Sequence, residues 1–197
     1  MATAFAACAL ATDVATAARP GLSDEQEQRL AAGEVIVLDA LPPGASKSAY
    51  GGTAHAVLRA PLDDVWRVLV DYAAHPRFYP GVRGVEVLEI DERHALVKYD
   101  VGIGPLSFGS YVNSYPYPIR HRIEWQLATG HANNLFRENS GYWQLAEAEG
   151  ATAVTYAIAI RVAFPAFVTL GAVRGSLVDA ITGLRKLAGQ GKGAGTR

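Results

Sequence analysis

Cysteine is nearly missing: Cys8 stands alone in 197 residues, which excludes an intrachain disulfide and any cysteine-built zinc cluster. Charge is scarce as well. Charged residues make up 19% of the chain and the net charge is -1, so there is no electrostatic footprint for nucleic acid. No run of about 18 uncharged apolar residues occurs, and no membrane-spanning helix is predicted. Histidine is thinly spread over His55, His75, His94, His121 and His131, with no i,i+4 pair on a helix. His121 lies between Arg120 and Arg122, a poor place for a cation, and His75, His94 and His131 read as turn or surface residues. The sequence therefore predicts no metal site. Gly102-Ile103-Gly104-Pro105 does not have the spacing of a dinucleotide loop, and no Gly-x-Ser-x-Gly elbow is present. Ser107, Ser110 and Ser114 fall on a strand without an evident base. No catalytic residue and no cofactor is assigned.

What is there is apolar and strongly patterned. Half of the residues are hydrophobic, enough for one packed domain with appendages. Residues 1–20 are Ala-rich and read either as a signal-like segment, with Ala15-Thr16-Ala17 as a small-residue site, or as a disordered terminus. Asp13 and the lack of a positive charge before Arg19 argue against the former. Export and a cytoplasmic location thus stand about equal. Residues 21–47 read as an extension holding a short helix and a brief strand. In it, Ser23 with Gln26 forms a capping-box pattern and Gly33 a stop. Residues 48–189 form the main domain, and 190–197 a Gly-rich tail.

Within the main domain, a strand over roughly Thr53 to Arg59 leads into APLDDVWRVLVDYAAHPRFYPGV, from Ala60 to Val82. Pro61 suits a helix start, and Asp63 and Asp64 suit its dipole. Leu62, Val65, Leu69 and Tyr72 recur at helical spacing, and Pro76 and Pro80 forbid a long continuation. From Val82 to Val162 the period becomes 2, in six strand candidates. Asp91-Glu92, Gly104-Pro105, Pro116 to Pro118, Gly130 and Glu149-Gly150 are the predicted breaks. Such short connections imply an antiparallel meander. A last helix carries Leu170, Val173, Leu177, Ile181 and Leu184 on one stripe, with Gly171, Gly175 and Gly183 suggesting close approach by the sheet or a ligand. The economical arrangement is an α+β fold, a curved antiparallel sheet wrapped around one long C-terminal helix.

That order, together with the Ala60–Val82 segment, GYWQLAEAEGATAVTY and the terminal helix, resembles the helix-grip (START-like, SRPBCC) superfamily. This group includes START-like lipid-transfer domains, polyketide cyclases, coenzyme-Q-binding proteins and the birch-pollen-allergen group. The resemblance covers about Ser48 to Ala188. It implies an internal cavity between sheet and helix, with Tyr72, Phe78 and Tyr79 at one mouth and Phe167 near a second. By alternation Tyr99, Trp125, Trp143 and Tyr156 share the inner face, where they line a cavity or fill a solid core. The phase of Arg137, Glu138 and Asn139 is open, and a solvated outer cluster is favoured for them. The candidate ligand-binding set is Tyr72, Phe78, Tyr79, Tyr99, Tyr111, Trp125, Trp143, Tyr156, Phe167 and Gly171.

The function expected from the resemblance is binding, and carriage, of a lipid-like or polycyclic small molecule: a sterol, fatty acid, quinone or polyketide-like compound. Transient contact with a membrane surface is compatible with this, and nucleic acid is not a partner. The alternative is a polyketide cyclase or aromatase acting in the same cavity. An inward Arg or carboxylate beside Tyr99 or Tyr156 would favour the enzyme, and an apolar cavity with tyrosine hydroxyls would favour the carrier.

Overall fold

The computed structural model describes residues 21–163 and 170–190. The elements in chain order are α1 (Asp24–Ala31), β1 (Ile36–Leu38), β2 (Tyr50–Leu58), α2 (Leu62–Val70), a 3-10 segment (Tyr72–Arg77), β3 (Val82–Ile90), β4 (Ala95–Ile103), β5 (Leu106–Tyr117), β6 (Arg122–Leu127), β7 (Phe136–Ala148), β8 (Ala151–Val162) and α3 (Leu170–Gln190). The eight strands form one antiparallel sheet in the order β1-β2-β8-β7-β6-β5-β4-β3.

Local chemistry accounts for most boundaries. Ser23 accepts from the Gln26 backbone N–H while the Gln26 side chain accepts from the Ser23 N–H, so the capping box is formed. Pro61 is the residue before α2 rather than its first turn, and its carbonyl accepts from Asp64 and Val65. Glu149 (φ 43°) and Gly150 (φ 77°) make the two-residue β7–β8 turn, where positive φ at both positions matches the twist of the flanking strands. The break expected over Pro116 to Pro118 forms at the far end of that stretch, in a 3-10 turn over Pro118–Arg120. Pro116 remains in β5 because β4 pairs only as far as Ser114, so no ladder bond is asked of its nitrogen on that side.

The crossover from β2 to β3 carries α2 and the 3-10 segment over the sheet, and α3 closes the same face. Leu62, Val65 and Leu69 of α2 are buried, as are Val173, Leu177, Ile181 and Leu184 of α3. The contacts of α3 concentrate on β2, β1 and α2. Gly52 permits the close approach of β1 and, less tightly, of α3: a Cβ there would lie 2.6 Å from the Leu38 carbonyl oxygen of β1 and 3.4 Å from Leu177 Cδ1 of α3. Gly183 does the same for the 3-10 side, where an added Cβ would lie 2.7 Å from Phe78 Cα. Gly175, expected to mark a close approach, faces open space instead. The Leu170 and Gly171 side-chain surroundings lie outside the described residues.

Candidate ligand cavity

One long helix cannot cover eight strands, and a cavity of about 210 Å³ remains under the 3-10 segment, against the inner faces of β4 to β8. Residues of the α2 end, the 3-10 segment and the turn after it form its roof: Leu69, Tyr72, His75 and Tyr79. Tyr99, Val101, Ser110, Val112 and Ser114 line it from β4 and β5, and Ile123, Trp125, Asn139, Trp143 and Tyr156 from β6 to β8. Among the described lining residues there is no Asp, Glu, Lys or Arg.

His75 organises the roof. Helix ends leave carbonyls without intrahelical partners, and His75 Nε2 lies 3.0 Å from the Leu69 carbonyl near the end of α2. A carbonyl only accepts, so Nε2 carries the proton. Burial pushes the His75 pKa from 6.5 down to about 4, and a neutral ring then has its lone pair on Nδ1. That nitrogen accepts from the Tyr99 hydroxyl at 2.8 Å. The rings of Tyr72, Phe78 and Tyr79 surround His75 at centroid separations of 5.1 Å. The expectation of a turn or surface histidine is thereby corrected: His75 is 5% exposed, because three separate elements close around it.

Two further bonds tie the roof to the sheet. The Tyr72 hydroxyl donates to Ser114 Oγ at 3.0 Å, and Trp143 Nε1 donates to the Tyr79 hydroxyl at 2.7 Å. Burial raises the pKa of Tyr72, Tyr79, Tyr99 and Tyr156, so their hydroxyls stay protonated. On the wall, Trp143 and Tyr156 stack at 3.9 Å with planes 6° apart. Trp125 Nε1 donates to Asn139 Oδ1 at 3.1 Å. Ser110 Oγ is buried with no hydrogen-bond partner among the described residues.

Of the residues singled out from the sequence, Tyr72, Tyr79, Tyr99, Trp125, Trp143 and Tyr156 line the cavity. Phe78 is buried but packs with its backbone against α3 at Gly183, and it is not part of the lining. Tyr111 is on the opposite face of β5 from Ser110 and Val112, stacked on His131 at 4.6 Å. That corrects its placement, since neighbours along a strand point to opposite faces. Phe167 lies outside the described residues, as do the surroundings of Gly171 in the first turn of α3.

The undecided trio separates. Asn139 faces the cavity, Glu138 accepts from the backbone N–H of Ser46 at 3.0 Å, and Arg137 is exposed. A register shift between Phe136 and Glu138 explains why alternation could not phase them: it places Phe136 and Asn139, three apart, on the same inner face. Among the polar lining residues, His75, Ser110, Ser114, Asn139 and Ser176 stand outside the candidate set read from the sequence. A non-alternating polar residue beside a strand break was the one signal available, and only for Asn139. Among the described residues no group of three His, Cys, Asp or Glu side chains gathers at metal-binding distance, and no helix is long and apolar enough to cross a membrane.

Solved structures share the architecture. The Zhui aromatase/cyclase from Streptomyces sp. R1128 superposes with a TM-score of 0.61 at 19% identity, over 76% of this chain and 99% of that one. The STAR-related lipid transfer protein from Xanthomonas axonopodis gives 0.59 at 16%, over 79% and 93%. A START superfamily protein from Mycobacterium smegmatis gives 0.54 at 18%, over 73% and 96%. At these identities the likeness is one of fold. No curated protein sequence matches. The family model described as polyketide cyclase / dehydrase and lipid transport matches residues 58–183, a span that contains the roof, the wall and most of α3. With its curved sheet, its long C-terminal helix and a cavity between them, the chain belongs to the polyketide cyclase/dehydrase and lipid transport family.

Proposed function

We propose that the protein binds a hydrophobic small molecule in this cavity and carries it, rather than transforming it. The supporting observation is the lining: aromatic rings and aliphatic side chains, hydroxyls held protonated, and no charged side chain among the described residues. Pockets of this kind hold ligands by apolar burial and orient them with a few polar groups. A ligand giving up roughly 200 Å² of apolar surface gains about 5 kcal/mol, less the cost of opening the roof. In this reading Tyr72, Tyr79, Tyr99, Trp125, Trp143 and Tyr156 form the binding surface, and the segment from Tyr72 to Val82 under α2 is the gate. Opening it breaks the Tyr72–Ser114, His75–Tyr99 and Tyr79–Trp143 hydrogen bonds, so exchange is slow.

Native mass spectrometry of the protein exposed to lipid extract tests the reading. A bound lipophile at one per chain is expected, and protein that stays empty across several extracts overturns tight carriage.

Cyclase chemistry is the second reading, and the Tyr99–His75 hydrogen bond is the observation in its favour. A substrate hydroxyl could pass its proton to the Tyr99 oxygen while Tyr99 passes its own to His75 Nδ1, a relay of the general-base type. Turnover of a polyketide-like substrate that disappears in Tyr99→Phe would establish this reading over carriage.

A further inference from the structure

The outer face of the sheet carries a second concavity, which the binding reading above does not use. We propose that it is a saccharide-binding groove. Its ligand is a short neutral oligosaccharide, stacked on Tyr117 and hydrogen-bonded to Arg122, Glu124 and Gln126.

Strand register builds the floor. Alternation turns Tyr115 and Tyr117 of β5, Arg122, Glu124 and Gln126 of β6, and Tyr142 of β7 away from the inner cavity. All six line a groove of about 470 Å³. Pairing sets Tyr117 beside Arg122, Tyr115 beside Glu124, Glu124 beside Tyr142 and Gln126 beside Ser140. At the rise of a strand, the floor from Arg122 to Gln126 is roughly 13 Å long, enough for more than one pyranose ring. The far wall is Pro42 and Pro43, on the connection between β1 and β2. That connection is tied down: the Ser46 backbone N–H donates to Glu138 at 3.0 Å, and the Thr53 hydroxyl donates to the Ala40 carbonyl at 2.6 Å.

Three observations identify the occupant. The first is charge. Arg122 Nε donates to Glu124 Oε1 at 2.6 Å, and no other Asp, Glu, Lys or Arg is among the described lining residues. An ion would be attracted by one member of that pair and repelled by the other, so a neutral ligand is favoured.

The second is the mixture of donors and acceptors. The Arg122 guanidinium lies 3.8 Å over the Tyr142 ring and spends Nε and Nη1 on Glu124 and Gln144. It keeps Nη2 as a donor. Glu124 keeps Oε2, and Gln126, whose Nε2 donates to the Tyr115 hydroxyl, keeps Oε1. Both of these are acceptors. A hydroxyl donates and accepts at once, so a polyol satisfies the whole set. A proline-rich peptide is another guest of aromatic-walled grooves, but its prolines have no N–H to give. It would leave Glu124 and Gln126 without donors.

The third is ring surface. Tyr142 is covered by Arg122, and Tyr115 lies 5.4 Å from the His94 ring. Tyr117 is 40% exposed and stacks on no ring among the described residues. One face of a pyranose presents polarised C–H bonds, and the negative face of a tyrosine ring is their complement. Tyr117 therefore meets the apolar side of a sugar whose hydroxyls reach the neighbouring Arg122 and Glu124.

The test titrates maltotriose, cellotriose, triacetylchitotriose and a decaproline peptide into the isotopically labelled full chain, read by amide chemical shifts. At least one trisaccharide should shift residues 115–126 and 140–142 and leave the residues of the inner cavity roof unmoved. Tyr117→Ala should weaken that binding about tenfold, and Tyr117→Phe by less than about threefold. Glu124→Gln should weaken it about tenfold. Urea midpoints of the variants should stay near wild type, which separates a lost contact from a lost fold. The proposal is overturned if no trisaccharide shifts this face, or if decaproline binds more tightly than all three. It is equally overturned if Tyr117→Ala and Glu124→Gln bind as wild type does.

Discussion

Two halves of one sheet face the same side and end differently. On β2 the inward residues Gly52, Ala54 and Ala56 are small, and α3 settles directly onto them through Leu177, Ile181 and Leu184. On β4 to β7 the inward residues include Tyr99, Val112, Trp125 and Trp143, the cover is a short 3-10 segment, and space is left over. Small residues draw a helix into contact and leave no room. Large, stiff rings prop their cover away from the sheet and leave a hollow that their own hydrogen bonds hold open. The closed half supplies cohesion and the hollow half supplies the site.

The sharpest way to break this contrast is to truncate each half. Leu177→Ala should destabilise by about 2–5 kcal/mol, because it opens a new void in a filled contact. Ile160→Ala, on the cavity wall, should lose less than about 2 kcal/mol, because it extends space that already exists. Urea unfolding of the two variants decides; equal losses would mean the halves are packed alike.

Acid should act on the hollow half next. His75 has its pKa lowered to about 4 by burial, against about 6.5 in the unfolded chain. Between those values the unfolded chain binds the proton more readily, so this contribution is complete above about pH 6.5 and falls as the pH drops toward 4, by roughly 3 kcal/mol in all. Below pH 4 this group removes nothing more. Unfolding midpoints from pH 7.5 to 4.5 should show the slope in wild type, and His75→Gln should flatten it.

Filling substitutions should then have opposite signs. Ala54→Leu, on the closed half, should cost about 1–3 kcal/mol by overpacking against α3. Ser110→Val, on the hollow half, should stabilise by about 1 kcal/mol, since it removes a buried hydroxyl without a partner among the described residues. Thermal melts of the two variants check the pair, and a destabilised Ser110→Val would show that the hydroxyl has a partner in the ligand-free protein.

Much of this architecture could be read from local pattern. The period-2 runs and short turn clusters of Val82 to Val162 are properties of neighbouring residues, and they sufficed for a six-strand meander and for the inward phase of Tyr99, Trp125, Trp143 and Tyr156. The stripe on α3 and the Ser23–Gln26 cap are equally local. The polar part of the cavity was not legible in the same way. His75 sits beside a proline in an aperiodic turn, and its burial comes from Leu69 on α2, Tyr99 on β4 and a ring of aromatics. Asn139 turns inward because of one register shift, and Tyr111 turns outward because Ser110 and Val112 take the inner face. Sequence by itself determined most of the strands and helices and the inward phase of Tyr99, Trp125, Trp143 and Tyr156, because backbone periodicity alone dictates those. Only the tertiary structure decided which polar atoms pair with one another and that Ser110 is left without a partner among the described residues, because hydrogen bonding between distant segments depends on where packing stops.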